Sequence, residues 1–244
     1  MPENTFYFTD NSKVKFRPNH NNTFGLNFGL PIDGGTCPGA TSGPGGCLYI
    51  RDNHKRQTCY MAKIVQIYKG VKKRLEQNTE LVVDKGYDEL VTILTASFQQ
   101  FKDKNKKEHL FLRAFYSGDI FSEVFAKAFT DVCKLFPDIQ FWLYTRSHEY
   151  VDILSSADNV AVYISIDPVN AESGFKIYEK LKDRKNVGLA SLDKLDNTPY
   201  KFISCPETSG KIKNTDSAGA CSKCRLCFRY SDKIKLRNVS FNIH

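Results

Sequence analysis

The chain has 244 residues, 35 Lys+Arg against 27 Asp+Glu for a formal charge of +8, 41% hydrophobic residues and eight cysteines. That is enough chain to bury the core of one large domain without disulfides, and the composition excludes a disordered or fibrous protein. No apolar run approaches the roughly 20 residues of a membrane span and no basic, apolar leader opens the chain, which predicts a soluble cytoplasmic protein whose cysteines stay reduced.

Residues 1–23 are polar and Asn-rich and read as an arm or an edge strand. From Phe24 to Cys47 the chain holds eight of its fifteen glycines and three prolines, so 24–60 reads as a Gly/Cys-rich loop. Ile64, Tyr68, Val71 and Leu75 then recur at helical spacing beside Lys63, Lys72, Lys73 and Arg74. A second helix is predicted from about Tyr87, with Leu90, Val91, Leu94, Phe98 and Phe101 as its apolar stripe. Beyond a charged turn at 102–108, β-rich runs at 109–116, 139–145, 159–166, 186–192 and 200–205 alternate with amphipathic segments at 122–136, 149–156 and 172–183. That is the rhythm of βαβ units, and it predicts a single α/β domain over 1–244 built on a parallel sheet.

Parallel sheets place ligands at the carboxyl ends of their strands. Those exits hold Asp119, Arg146, Asp167 and Cys205. Helix capping explains most serines and aspartates at such positions. Arg146 and Cys205 are not capping types, so a rim collecting all four is a candidate functional face, with Asp119, Arg146 and Asp167 as candidate catalytic groups.

The strongest chemical signal is CSKCRLC, which places Cys221, Cys224 and Cys227 three residues apart. A short loop of this kind directs three thiolates at one polynuclear centre, the ferredoxin-like way of holding a 4Fe-4S cluster. The fourth thiolate then comes from a distance, and Cys205-Pro206, with fifteen residues between Cys205 and Cys221, suits that role within a cluster-binding loop at 205–228. Zinc is the alternative, since four thiolates also satisfy a tetrahedral ion, although no second Cys-x2-Cys half-site exists. Cys37, Cys47 and Cys59 enclose nine and eleven residues, spacings of no compact motif. Three readings compete for them: a second metal centre, one ligand to the C-terminal cluster in place of Cys205, or free thiols. Cys133, beside Val132 and Leu135 in a predicted helix, reads as a small buried hydrophobe. The five histidines are scattered, and only His148 falls near the predicted rim. The lysines are diffuse, which argues against nucleic acid as the partner despite the basic balance.

TCPGAT at 36–41, TCY at 58–60, FLRAFYSGDIFS at 111–122, FWLYTRS at 141–147, CPE at 205–207 and CSKCRLCF at 221–228 together resemble the phage-encoded iron–sulfur proteins of the gene-product-eighty-eight type. The resemblance covers roughly residues 25–228. It implies a barrel-like α/β fold related in outline to radical-SAM barrels, a thiolate-bound 4Fe-4S cluster, a viral origin and hence the host cytoplasm. The N-terminal cysteines here are spaced more widely than the family pattern, and the Cys-x3-Cys-x2-Cys loop of radical-SAM enzymes is absent.

The expected fold is therefore a partial or closed β/α (TIM-like) barrel with a cysteine-rich C-terminal loop. The expected function is that of a viral 4Fe-4S electron-transfer protein, with Lys223 and Arg225 offering a positive rim to an acidic redox partner protein. A radical-SAM-like enzyme working at the strand carboxyl face and a zinc-binding viral interaction protein are the alternatives.

Overall fold

The computed structural model describes residues 4–9, 14, 23–33, 35–42, 46–48, 59–105, 109–192, 195, 198–213 and 219–241. Seven parallel strands form one curled, open sheet: β1 (Thr23–Asn27), β2 (His109–Arg113), β3 (Ile139–Thr145), β4 (Val160–Ile166), β5 (Val187–Leu192), β6 (Ile203–Ser204) and β7 (Val239–Phe241). The spatial order is β1-β2-β3-β4-β5-β7-β6. β1 and β6 are thus the two edges, and no pairing joins them among the described residues, so the closed barrel is ruled out in favour of a half-barrel. The physical reason lies after β5, where the regular βα alternation stops. The last two strands have two and three residues, and β7 inserts between β5 and β6 instead of extending the curl.

Central strands read as continuous apolar runs because both faces of the sheet are covered. β4, VAVYISI, is buried at every position. Side chains alternate between two cores. On the outer face Leu110, Leu112, Ile139, Phe141, Leu143, Val162 and Ile164 meet the helices. These include α3 (Tyr87–Lys104), α4 (Glu123–Leu135), the short α5 (Val151–Leu154) and α6 (Ala171–Leu181). Ser122 starts α4 by accepting the Phe125 N–H at 3.1 Å, and Phe125, Phe129, Val132 and Cys133 form its buried stripe. On the inner face Phe111, Trp142, Ala161, Tyr163, Ala190 and Val239 face the C-terminal segment, with Phe228 and Leu236 packed onto them.

The helix predicted around 64–75 is two helices, α1 (Met61–Ile67) and α2 (Lys69–Glu80), because Tyr68 leaves helical geometry at ψ 88°. β1 lies at the start of the stretch read as loop, and Thr9, ahead of it, bridges Asn27 in antiparallel fashion. Phe6 is buried and stacks on Phe28, so this part of the arm belongs to the core. The polar stretch between Cys205 and Cys221 lies partly outside the described residues. No helix among the described residues is long and apolar enough to cross a membrane.

Candidate functional site

The eight thiols divide into two groups and one core residue. Cys133 is the core residue, and burial holds its thiol proton far above the usual range. The first group lies against the inner face of the sheet. Cys205 follows β6 directly, and its N–H donates to the Ser240 carbonyl of β7 at 2.8 Å. Cys221 and Cys224 lie on α7 (Ala220–Cys224), and Cys227 lies in the 3₁₀ turn Leu226–Phe228. Arg225, in left-handed conformation at φ 56°, makes the corner between them. Phe228 anchors this hook by stacking on Trp142 at 4.6 Å and on Phe111 at 5.0 Å between ring centroids.

Within this tetrad Cys227 interacts electrostatically with Cys221, Cys205 and Cys224, and Cys224 with Cys205. The remote thiol of Cys205-Pro206 therefore lies within electrostatic range of Cys224 and Cys227. Burial, followed by those neighbouring sulfurs, pushes the Cys227 thiol up to about 12 against a hydrogen bond from the Tyr144 hydroxyl. Burial also raises Cys224. Left to themselves such thiols stay protonated, and metal coordination is what deprotonates thiols grouped in this way. Tyr163 from β4 also makes hydrogen-bond contact with the Cys227 sulfur.

Beside the tetrad stands Arg113, the last residue of β2, with its guanidinium 5.7 Å from the Tyr144 ring centre. Burial alone would make that group easier to deprotonate, but Tyr60, Tyr144, Cys221 and Cys227 hold its charge in place. Its Nε is buried and has no hydrogen-bond partner among the described residues. A buried cation beside Cys221 and Cys227 suits an anionic occupant. Among the described residues no three His, Cys, Asp or Glu side chains stand close enough to share a single metal ion.

The second group gathers at the carboxyl ends of β2, β3 and β4. Cys37, Cys47 and Cys59 interact with one another and with Arg146. Gly39 lets this loop lie on Arg146, since a Cβ there would stand 3.0 Å from Arg146 Cδ. The rim aspartates and Arg146 do come together. Arg146 Nη1 donates to Asp167 Oδ2 at 2.8 Å, with both side chains largely buried. Asp119 Oδ2 accepts the Arg146 N–H at 2.8 Å, and its Oδ1 accepts the Ile120 N–H at 2.8 Å. Asp167 Oδ1 accepts the Val169 N–H at 2.8 Å. The two carboxylates thus fasten loops, as capping would have them do, while Cys205 lies at the end of β6.

His148 is buried, with Nε2 at 3.0 Å from the Ser165 carbonyl, and burial lowers its pKa. A cavity of about 450 Å³ lined by Gln140, Asn159, Lys185 and Tyr230 opens at the amino ends of β3 and β4, on the opposite side from Arg146 and Asp167. Arg113, Tyr144 and Tyr163 are site residues that sequence reasoning missed. The one available signal was strand alternation, which puts Trp142 and Tyr144 on the same face.

The gene product 88 family model matches residues 6–230. Two curated relatives, both named Gene 88 protein, come from Mycobacterium phage L5, at 33% identity over 220 residues, and Mycobacterium phage D29, at 30% over 221 residues. Each alignment covers 85% of this chain and 85% of the relative. Neither name states an activity, and no solved structure matches. With a family match that runs from the first described segment through the cysteine hook, the chain belongs to the phage gene product 88 family.

Proposed function

We propose that this protein carries a 4Fe-4S cluster on Cys205, Cys221, Cys224 and Cys227 and works as a one-electron carrier in the host cytoplasm. The observation that supports this reading is that Cys205, which follows β6, comes within electrostatic range of Cys224 and Cys227 of the evenly spaced hook, beside the buried Arg113 guanidinium. A cluster bound there supplies one-electron chemistry. The chain's own residues do the rest. Arg113 offsets the negative charge of the four thiolates, Tyr144 donates to the Cys227 sulfur, and the Trp142, Phe111 and Phe228 rings keep water from the inner side.

The repeat of Cys221, Cys224 and Cys227 every third residue, which would leave one thiol idle or strained on a tetrahedral zinc, favours a polynuclear centre. Lys223, exposed on α7, and Arg225 flank Cys224 and give the approach a positive character suited to an acidic redox partner protein.

Iron and sulfide counts on anaerobically purified protein, with electron paramagnetic resonance after dithionite reduction, test the proposal. We expect about four irons and four sulfides per chain, lost on Cys224→Ser or Cys227→Ser and kept on Cys133→Ala. A colourless protein would end this reading, and zinc alone would replace it with a zinc-stabilised interaction protein.

A further inference from the structure

We propose that Cys47 and Cys59 form a thiol–disulfide exchange pair, separate from the tetrad, that accepts a disulfide from a low-molecular-weight or protein disulfide. Backbone pairing carries the proposal. The Cys59 N–H donates to the Cys47 carbonyl at 2.9 Å, and the Cys47 N–H donates to the Gly39 carbonyl at 2.9 Å, so both positions are held by the main chain. The first of these bonds brings the two backbones together at the cysteines themselves, as a disulfide between them requires. The side chains already meet, with the Cys47 thiol donating to the Cys59 sulfur.

The pair is asymmetric in the sense that exchange requires. Cys59 is half-buried whereas Cys47 is buried, so Cys59 is the more accessible sulfur. Its sulfur also accepts the Ala62 and Met61 N–H groups. The Cys47 hydrogen bond and those amides bring the Cys59 thiol down to about 6, and the same shared bond and burial hold the proton on Cys47. Cys37 is pushed up to about 12 by burial and by Asp119, which leaves it out of the exchange. Other charged groups facing the pair are Arg146, which favours the thiolate, and Asp119 behind Cys37.

In the first step the Cys59 thiolate attacks one sulfur of R–S–S–R, forming a Cys59–S–S–R mixed disulfide and releasing R–S⁻. That thiolate takes the Cys47 proton and leaves as R–SH. The Cys47 sulfur then attacks the Cys59 sulfur, closing the Cys47–Cys59 bond and releasing the second R–S⁻. The pair gives up two electrons and the external disulfide gains them.

The test treats the full-length, anaerobically prepared chain with oxidised glutathione at neutral pH, blocks free thiols with N-ethylmaleimide and maps tryptic peptides. Arg51, Lys55 and Arg56 lie between the two cysteines, so their union links two separate peptides. We expect that link in the wild type and in Cys37→Ser, a glutathione adduct on Cys59 in Cys47→Ser, and neither in Cys59→Ser. Iron and sulfide counts, which report the tetrad, stay constant across the three variants, so this proposal and the cluster reading fail separately. In the unsubstituted chain, iodoacetamide labels Cys59 first, with half-maximal rate near pH 6. The proposal is overturned by absence of link and adduct in the wild type, by loss of the link in Cys37→Ser, by Cys59 labelling that begins only above pH 8, or by a fall in bound metal on replacing Cys47 or Cys59.

Discussion

Arg113 and Tyr144 set the electrostatics beneath the tetrad. Each stabilises negative charge on the sulfurs, Arg113 by its fixed positive charge and Tyr144 by a hydroxyl donated to Cys227. In the proposed cluster, reduction would add one electron to an anionic centre, so both groups would favour the reduced state. Arg113→Met and Tyr144→Phe should therefore each lower the midpoint potential by tens of millivolts, read by potentiometric titration, with iron content unchanged. A potential that does not move would show that neither group senses the charge of the centre. Asp119 offers a second test at this scale. Burial outweighs its hydrogen bonds from Thr145, Arg146, Ile120 and Ser147 and raises its pKa from 3.8 to about 6. A carboxyl raised on folding contributes stability below its unfolded pKa and loses it as pH climbs through the folded value, here about 3 kcal/mol at most between pH 4 and 6. The melting-temperature advantage of the wild type over Asp119→Asn should shrink across that interval. The hook was legible because the spacing of Cys221, Cys224 and Cys227 stands in the sequence itself. Arg113 was not, because its relevance depends on which face of β2 turns toward the hook, and one-residue alternation does not say which face is which.

Among the elements, the strands with long β-branched and aromatic runs were legible almost to their ends, β3 most closely, whereas β1 was not. Its sequence TFGLN carries a glycine that reads as a turn residue. The structure gives that glycine another purpose. A Cβ on Gly25 would lie 2.0 Å from Phe111 Cε2, so the ring occupies the space a side chain would need. Phe111 in turn stacks on Phe228, the residue after Cys227, which ties the edge strand to the cysteine hook through two rings. Gly25→Ala should destabilise the protein by about 1–3 kcal/mol in urea unfolding and reduce iron retention as well. Adding Phe111→Leu, which vacates part of the ring's space, should recover part of the stability. Stability lost with iron retention unaffected would mean that the two rings do not transmit the strain. The break at Tyr68 was hidden for a different reason: the apolar stripe through Ile64, Val71 and Leu75 keeps its period across the break, so periodicity reads straight through it.

For the whole molecule, the decisive feature is the late insertion of β7 between β5 and β6. The sequence order of the strands suggests that β6 extends the sheet from β5, and NVSF near the C-terminus is too short to announce a strand of its own. Yet β6 pairs only with β7, through the Ile203 N–H to the Asn238 carbonyl at 2.9 Å and the Cys205 N–H to the Ser240 carbonyl at 2.8 Å. The position of Cys205 thus depends on residues that follow the three hook cysteines in the chain. The outer core, which draws on β1 to β5 and their helices, contains no residue of β7. Ending the chain after Arg237 should accordingly leave a folded body by far-ultraviolet circular dichroism while releasing Cys205. Its iron count should then fall to the level of Cys205→Ser in the full-length chain. Full iron in the truncated protein, with an unchanged paramagnetic signal, would mean that Cys205 reaches the tetrad without β7. Complete unfolding would instead make β7 part of the core that stabilises the entire half-barrel, since parallel pairing of such short strands draws its stability from the layers packed on either face rather than from its few ladder bonds.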